Sequence, residues 1–265
     1  MDKILLFIPA YNCEKQIIRV LKQIDKKVLE YISEVIVVNN RSTDNTEAVS
    51  RKFSMENPDL NIRILRNRAN YNLGGSHKVA FKYAVENNFD YVIVLHGDDQ
   101  GDIHDLMPVL DKGIYKKYDC CLGARFMKAS KLDGYSKFRT FGNYVYNSIF
   151  SIATASRIKD LGAGLNMYST KMLESEFYLK FPDALTFNCF MLFANKTYGF
   201  TYYFFPITWR EDDQVSNVKM VSQAVTTAKI VADFFVSAKK KFMQKDFRTE
   251  VIDSYDASDV TKELK

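Results

Sequence analysis

The sequence predicts an α/β protein built on a mostly parallel sheet with helices on its faces. Short apolar runs of strand length alternate with segments in which apolar residues recur every three or four positions, a pattern typical of βαβ units. The first four runs lie at residues 4–8, 35–38, 62–65 and 91–95. The run at 91–95 is apolar throughout, as expected for a strand that is covered on both faces.

Length and composition bound the class of protein. The chain has 265 residues, enough for one large domain or two small ones, and 47% of them are hydrophobic, which is ample for a core. No stretch approaches the roughly 18 uncharged apolar residues that a membrane-spanning helix requires, and the start of the chain lacks a signal-peptide pattern. We therefore expect a cytoplasmic protein.

The net charge and the cysteines narrow the class further. A net charge of +5 suits anionic substrates or an anionic membrane surface, but it is too mild to indicate nucleic acid, for which there is also no recognisable binding motif. The four cysteines lack metal-ligand spacing and are predicted to be reduced, structural thiols: Cys13, Cys120, Cys121 and Cys189.

The run at 91–95 leads directly into a polar cluster of Asp98, Asp99, Gln100 and Asp102. Ligands of open α/β sheets collect outside the carboxyl ends of the strands. Closely spaced oxygen ligands suit Mg²⁺ or Mn²⁺, which binds through one or two carboxylates and fills its other positions with water and substrate phosphates. The cluster therefore predicts a divalent metal that holds a diphosphate, although an acidic turn in which Asp102 caps the next helix fits the same residues.

Polar side chains also follow the first two strands. After the first, Pro9 stiffens the turn, Tyr11 offers a ring face and Glu14 an acceptor for a nucleoside; alternatively, Tyr11 packs and Glu14 complements the positive end of a helix. After the second, Asn39 or Asn40 is placed to read the edge of a base. Both amides are equally compatible with closing the turn.

Basic residues follow the third and fifth strands. Gly74 and Gly75 precede a helical pattern, so that backbone amides there are able to approach an anion, and His77 and Lys78 add charge. A simple loop with a glycine kink is the competing interpretation. Arg125 ends a short strand predicted at 119–123 and is placed either to fork onto phosphate oxygens or to be solvated at the surface.

The second half of the chain holds an aromatic-rich helical stripe with Phe141, Val145, Ile149 and Ile152 at spacings of three and four. It suits a membrane interface or a lipid acceptor, whereas packing on the sheet is the commoner fate of such a stripe. A strand is predicted at 200–207, followed by a polar loop that closes over a charged substrate. A long helix over 221–242 is expected to cover its own domain, and the tail from residue 250 is expected to fray.

Six motifs in order resemble the family 2 inverting glycosyltransferases with the GT-A fold, over roughly the first 220 residues. Dolichol-phosphate-mannose synthase-like members are the branch most similar to the central and carboxyl-terminal motifs. The motifs are IPAYN at 8–12, VVNNRSTD at 37–44, NLGGSHK at 72–78, LHGDDQ at 95–100, GAR at 123–125 and WREDDQVSNVK at 209–219. The resemblance implies a glycosyltransferase domain at 1–220, with a nucleotide-binding half at 1–125 and an acceptor half at 126–220, before a helix and polar tail at 221–265.

The resemblance also implies roles for individual residues. It assigns nucleotide-sugar binding to residues in or beside all six motifs, and metal binding to Asp98 and Gln100. The chain departs from the family at His96, which replaces the first acid of Asp-x-Asp, and at Asn188, where many relatives carry an acid. The residues assigned to the nucleotide sugar are Pro9, Tyr11, Glu14, Asn39, Asn40, His77, Lys78, Asp98, Arg125, Arg210, Ser216 and Lys219.

The implied reaction is transfer of a sugar from a nucleotide diphosphate donor, with inversion, to a polyprenyl phosphate or a growing cell-surface glycan. Asp98 is the central catalytic residue, because its metal stabilises charge on the leaving diphosphate. A hydroxyl acceptor needs a general base, for which Asp160, Glu211, Asp212 and Asp213 are candidates, whereas a lipid phosphate needs none. Peripheral contact with a membrane and an oligomer are compatible with this assignment. A sugar nucleotidyltransferase and a non-catalytic nucleotide-sugar-binding relative are the competing hypotheses.

Overall fold

A computed structural model describes residues 1–211 and 220–262, without the side chains of 220–224. Its main sheet has eight strands in the spatial order β10-β3-β2-β1-β4-β7-β5-β8. The strands of this sheet are β1 (Ile4–Ala10), β2 (Ile32–Asn39), β3 (Ile62–Asn67), β4 (Tyr91–Leu95), β5 (Cys120–Ala124), β7 (Leu165–Ser169), β8 (Tyr202–Pro206) and β10 (Ala257–Asp259). A small parallel pair, β6 (Lys131–Asp133) and β9 (Thr208–Arg210), lies apart from it.

The helices connect the strands and cover the sheet. The predicted fold class is confirmed: β3, β2, β1 and β4 are parallel neighbours, and helices separate them along the chain. The α-helices are α1 (Ile17–Lys22), α2 (Lys26–Leu29), α3 (Thr46–Glu56), α4 (Asn72–Glu86), α5 (Met107–Asp111), α6 (Lys137–Thr154), α7 (Thr170–Leu173), α8 (Phe187–Tyr198), α9 (Met220–Val236) and α10 (Lys239–Gln244).

Strand β1 shows why the sheet is buried on both faces. Its seven residues are all buried, and successive side chains enter different apolar clusters. Leu5 and Phe7 belong to one cluster, whereas Ile4, Leu6 and Ile8 belong to the other. Because side chains of a strand alternate between the two faces, the two clusters are the cores above and below the sheet.

Strand β7 runs against the strands beside it and positions the site. Strand β7 is antiparallel to both of its neighbours, β4 and β5, so that β4 and β5 are parallel to each other. The chain therefore enters β7 at the edge where β1, β2, β4, β5 and β8 end. The segment 160–164, which precedes β7, is thus brought to the same edge as the residues that follow the parallel strands.

The carboxyl-terminal helices cover their own domain, as predicted. The ring of Phe193 on α8 stacks between Phe150 of α6, with a centroid distance of 5.1 Å, and Phe234 of α9, at 4.0 Å. Aromatic pairs of this kind add to the free energy gained by burial. The predicted single helix is divided, since α9 ends at Val236 and α10 begins at Lys239.

The expectation that the tail is frayed is wrong for the residues around 255–261. Strand β10 pairs antiparallel with β3, and the side chains of Tyr255 and Val260 are buried. The backbone amide of Val260 donates to Ile64 O at 2.9 Å. The polar composition of the tail concealed a strand because an edge strand needs few apolar side chains once its backbone is paired.

Two further expectations concern the whole chain. All four cysteines are free and buried, in agreement with the prediction of reduced core thiols. Within the described residues, no helix has both the length and the apolar character that would let it cross a membrane.

Candidate active site

The ends of β1 and β4 are tied together at the edge of the sheet. The amide of Gly97 donates to Pro9 O at 3.1 Å, and a side chain at Gly97 would come within 2.9 Å of that oxygen. Glycine is therefore required at 97 because the strands approach so closely. Pro9 thus helps to position the turn that follows β4. The residue after Gly97 in this turn is Asp98.

Asp98 carries the most strongly perturbed carboxyl group of this edge. Burial raises its pKa from 3.8 to about 6, and the neighbouring charge of Asp99 acts in the same direction. The amide of Gln100 donates to Asp98 Oδ1 at 3.2 Å. A carboxylate whose charge is poorly solvated in this way gains from a bound cation, so the environment of Asp98 suits a metal ligand.

Asp99 has a different task from Asp98. Its backbone adopts the left-handed conformation with φ of 60°. The carboxylate accepts from Arg19 Nε at 2.6 Å and from Gln23 Nε2 at 3.1 Å, and Arg210 Nη2 lies 3.5 Å away. Asp99 therefore anchors α1 and β9 to this turn and leaves Asp98 and Gln100 as the ligand candidates.

Asp102 behaves as the alternative interpretation predicted. Its carboxylate accepts from the amide of His104 at 3.0 Å and so caps the short helical turn that follows. In the described part of the chain, no three His, Cys, Asp or Glu side chains cluster closely enough to hold a metal alone. The donor set fits Mg²⁺ or Mn²⁺ bound through Asp98 and Gln100, with substrate phosphates as further ligands.

His96 takes the place of the first acid in this motif and is neutral. Burial lowers its pKa to about 4, and the positive charge of Arg125 adds to this effect. Its ring fills the space beside Gly164, where a side chain would come within 2.8 Å of it. Its Nε2 has no hydrogen-bond partner among the described residues. The position therefore supplies packing rather than negative charge.

The two candidates for the nucleoside have different surroundings. The ring of Tyr11 is 45% exposed at the end of β1 and is free to stack on a base. Glu14 Oε2 accepts from the amide of Asn45 at 2.9 Å, just before α3 begins. Glu14 therefore complements the positive end of a helix, as the alternative proposed, although the helix is α3 and not the one that follows Glu14 directly.

Asn39 and Asn40 are buried, and both side chains act within the turns. Asn39 Nδ2 donates to Glu47 Oε2 at 2.6 Å. Asn40 Nδ2 donates to Asn70 Oδ1 at 2.8 Å, while its Oδ1 accepts from the amide of Tyr71 at 2.8 Å. These contacts match the interpretation that the amides close the turn, and neither amide is presented to a ligand in this structure.

The prediction that His77 and Lys78 supply charge to an anion is wrong in this structure. Both lie inside α4 and are fully buried. His77 is packed among aromatic rings, and burial lowers its pKa to about 3. Lys78 Nζ donates to Phe181 O at 2.6 Å and to Asp183 Oδ1 at 2.7 Å. The amide of Gly74 donates to Asp183 O, so the glycines serve close packing instead of anion binding.

The side chains of Arg125 and Asp160 form an ion pair with each other. Arg125 Nε and Nη2 donate to the two carboxylate oxygens of Asp160 at 2.8 and 2.7 Å, and the amides of Arg125 and Gly162 donate to the same carboxylate. Burial opposes the guanidinium charge, yet Asp160 outweighs it and raises the pKa of Arg125. The predictions of a phosphate-binding Arg125, of a solvated Arg125 and of Asp160 as base all disagree with this pairing.

The last predicted motif lies beside the metal candidate. The amide of Arg210 donates to Gln100 O at 2.9 Å, which attaches β9 to the turn that follows β4. Glu211 forms an ion pair with Arg139, a residue of α6 that sequence reasoning missed because 72 positions separate the partners. Four residues predicted to act here lie outside the described residues: Asp212, Asp213, Ser216 and Lys219.

A cavity with a mixed polar and apolar lining opens beside Asp160. It lies between the sheet and α8, and three asparagines contribute to its lining, Asn166, Asn188 and Asn195. The Oδ1 atoms of Asn188 and Asn195 are buried without hydrogen-bond partners among the described residues. Asn188, noted above as a replaced acid, is therefore a neutral polar group close to the candidate site.

Comparisons with known proteins agree with this architecture. Residues 6–178 match the family described as glycosyl transferase family 2. An uncharacterised protein of Methanocaldococcus jannaschii is 26% identical over 168 residues, which cover 63% of this chain and 65% of that protein. The match thus spans less than two thirds of that relative's own length.

One named relative and one solved structure extend the comparison. An undecaprenyl-phosphate mannosyltransferase of Micrococcus luteus is 22% identical over 173 residues, which cover 65% of this chain and 69% of that protein. The glucosyl-3-phosphoglycerate synthase of Mycobacterium tuberculosis, solved with Mn²⁺, UDP and glucosyl-3-phosphoglycerate, superimposes with a TM-score of 0.58 at 13% identity. The superposition covers 88% of this chain and 78% of that one, which shows a shared fold.

Proposed function

The chain belongs to glycosyl transferase family 2, and from this membership and the site we propose that it transfers a sugar, with inversion, from a nucleotide diphosphate donor to a polyprenyl phosphate. The observation that carries the proposal is the environment of Asp98. This residue has a desolvated carboxyl group with a pKa of about 6 and follows β4 at the carboxyl edge of the sheet, and the exposed ring of Tyr11 follows the neighbouring strand β1. A base and a diphosphate of one nucleotide fit these two neighbouring positions.

On the donor side, Tyr11 stacks on the base, and Asp98 with Gln100 holds Mg²⁺ or Mn²⁺ on the diphosphate. When bound, the metal stabilises the charge that develops on the leaving diphosphate. Arg19 and Arg210 hold Asp99, so the turn that presents Asp98 is anchored from two elements. The M. tuberculosis synthase, which shares this fold, was solved with Mn²⁺ and UDP, and this supports a nucleotide donor that binds together with a metal.

On the acceptor side, both candidate bases within the described residues are paired, which favours a phosphate. Asp160 is held by Arg125, and Glu211 by Arg139, so neither carboxylate is available to accept a proton from an acceptor hydroxyl. A lipid phosphate has a second pKa near 6 and attacks as an anion at neutral pH without a base. The polyprenyl phosphate named in the M. luteus relative is consistent with this class of acceptor.

The test is a transfer assay with labelled nucleotide sugars, Mn²⁺ and undecaprenyl or dolichyl phosphate, with oligosaccharides as competing acceptors. We expect label in a lipid-linked product that is lost in Asp98→Asn. A control variant, Asp111→Asn, changes an exposed carboxylate that pairs with Lys27 and is not among the site residues, so it should keep full turnover. Transfer only to oligosaccharides would replace the phosphate acceptor with a hydroxyl, and release of pyrophosphate from a sugar phosphate and a nucleoside triphosphate would identify a nucleotidyltransferase.

A further inference from the structure

Helix α6 exposes a continuous apolar stripe. Its inner face is buried at Phe150 and Ala153, as expected for a helix that covers a core. Its outer face leaves large apolar side chains in solvent at spacings of three and four, and the exposed fraction reaches 81% at Phe138. The exposed side chains are Phe138, Phe141, Tyr144, Val145, Ile149 and Ile152. The expectation that this stripe packs on the sheet is therefore wrong.

A neighbouring helix adds to this apolar surface. Helix α9 packs against α6 and has the same two-faced character, with Phe234 buried and the adjacent Phe235 and Val236 exposed. A soluble surface rarely concentrates so many large apolar side chains, and such patches mark interaction sites. We call the exposed side chains of α6, together with Phe235 and Val236, the outer face.

The two segments that carry the outer face are strongly basic. Residues 126–159 contain six Lys or Arg and a single acid, and residues 220–245 contain five Lys and a single acid, which give formal net charges of +5 and +4. The whole chain carries +5, so the remainder carries −4. Exposed Lys128, Lys131, Lys137 and Arg157 lie before and after the stripe. Apolar side chains flanked by basic ones are the composition of a helix that lies in an anionic lipid interface.

The stripe also begins next to the candidate site. Arg139 in the first turn of α6 pairs with Glu211, and the ring of Tyr144 lies 5.5 Å from that of Phe126, which follows Arg125. After α6 ends, the chain continues to Asp160. A surface that binds α6 is therefore held close to the edge of the sheet where the acceptor phosphate is expected.

We propose that the outer face docks on an anionic lipid bilayer and thereby presents the site to an acceptor whose phosphate lies at the bilayer surface. A second copy of the chain is the competing occupant. Symmetric pairing through this face would bring two strongly basic segments together, whereas anionic headgroups complement them. The purpose of the docking depends on the proposed transferase function, but the docking itself does not.

The test measures co-sedimentation of the full chain with vesicles of phosphatidylcholine, with and without phosphatidylglycerol. We expect binding to the anionic vesicles that weakens as salt screens the charges. The double variant Phe138→Ser, Phe141→Ser should lower the vesicle partition coefficient by at least about tenfold, because two aromatic side chains no longer enter the lipid. The matched control is Met55→Ser, Val251→Ser, which alters exposed apolar residues elsewhere and should bind as the wild type does.

Two readouts separate this inference from the proposed function. Without vesicles, the Phe138→Ser, Phe141→Ser variant should have the circular dichroism spectrum of the wild type and the same rise in melting temperature with a nucleotide sugar and Mn²⁺. The Asp98→Asn variant should lose that rise in melting temperature and still bind vesicles. Failure of the wild type to bind anionic vesicles overturns the inference. So does a concentration-dependent dimer in sedimentation that the Phe138→Ser, Phe141→Ser variant abolishes, since a second copy would then cover the face.

Discussion

The guanidinium of Arg125 and the carboxylate of Asp160 form a two-pronged ion pair, with donor–acceptor distances of 2.8 and 2.7 Å. The side chains are 11% and 1% exposed, so the pair is almost enclosed. The rings of Phe126 and Trp209 lie within 5.3 and 5.0 Å of the guanidinium carbon. Two residues that sequence motifs assign to separate tasks, phosphate binding and base catalysis, are thereby used to fasten the entry of β7 to the end of β5.

We expect Asp160→Asn to lower the free energy of unfolding by about 3–5 kcal/mol, because it leaves the buried charge of Arg125 uncompensated. Urea denaturation measures the change. The control is Asp111→Asn, which breaks an exposed pair with Lys27 and should leave the free energy of unfolding nearly unchanged. If Asp160→Asn keeps its stability and loses only turnover, Asp160 is a general base and the acceptor is a hydroxyl.

Asp98 should make the metal-free protein less stable as pH rises. The folded pKa of about 6 lies above the ordinary 3.8, so the unfolded chain releases this proton first, and stability falls between about pH 4 and 6. Each pKa unit corresponds to about 1.4 kcal/mol. In chelator at neutral pH, Asp98→Asn should therefore be more stable than the wild type by about 1–3 kcal/mol, with no difference below about pH 4.

Thermal unfolding across this pH range, with and without Mn²⁺, measures the effect. A nucleotide diphosphate with Mn²⁺ should raise the melting temperature of the wild type and leave that of Asp98→Asn unchanged, since ligand binding stabilises the folded state by mass action. An Asp98→Asn variant that is less stable than the wild type in chelator at neutral pH would contradict the assignment of Asp98 as a desolvated carboxylate that a bound cation stabilises.

Lys78 should be a stability residue. Its ammonium is fully buried and donates to Asp183, to Phe181 O and to the hydroxyl of Tyr255 in the carboxyl-terminal segment. We expect Lys78→Met to lower the free energy of unfolding by about 3–5 kcal/mol, because the carboxylate of Asp183 loses its partner. Limited proteolysis should also cleave the tail faster, as its attachment through Tyr255 weakens.

The control for Lys78 lies one turn further along the same helix. Lys82 is partly exposed and pairs with Asp256 and Glu86, so Lys82→Met should cost less than about 1 kcal/mol. Equal losses in the free energy of unfolding in both variants would show that the buried network around Lys78 stabilises the fold no more than the exposed pairs of Lys82 do. A Lys78→Met variant with normal stability but weakened donor binding would restore the original prediction of an anion-binding lysine.

Tyr11 should contribute to donor affinity and little to stability. Its ring is 45% exposed, so Tyr11→Ala removes few contacts within the protein. Stacking of a base on an aromatic ring is worth about 1–3 kcal/mol, which predicts a loss of donor affinity of about 5- to 150-fold in calorimetric titration. Tyr198→Ala, at a comparable exposure of 40%, is the control. Unchanged affinity in Tyr11→Ala would exclude the ring from the nucleoside site.

Local patterns were sufficient for the strands and for the family. Each parallel strand of the main sheet was visible as an apolar run, and the motifs that follow the strands identified the sheet edge where a ligand is expected. Asp98 and Tyr11 remain candidates because both follow a strand directly and need no distant partner to be placed. The antiparallel β7 and the edge strand β10 were harder to foresee, since direction and edge pairing depend on other strands.

The amino-acid sequence by itself determined the alternation of strands and helices, because the period of apolar residues acts over a few positions. Only the tertiary structure decided which charged groups remain available to a substrate. Asp160 lies 35 positions from Arg125, Glu211 lies 72 from Arg139, and Asp183 lies 105 from Lys78. A buried charge must find an opposite charge, and whether that partner is a neighbouring side chain or a ligand depends on contacts that chain topology alone creates.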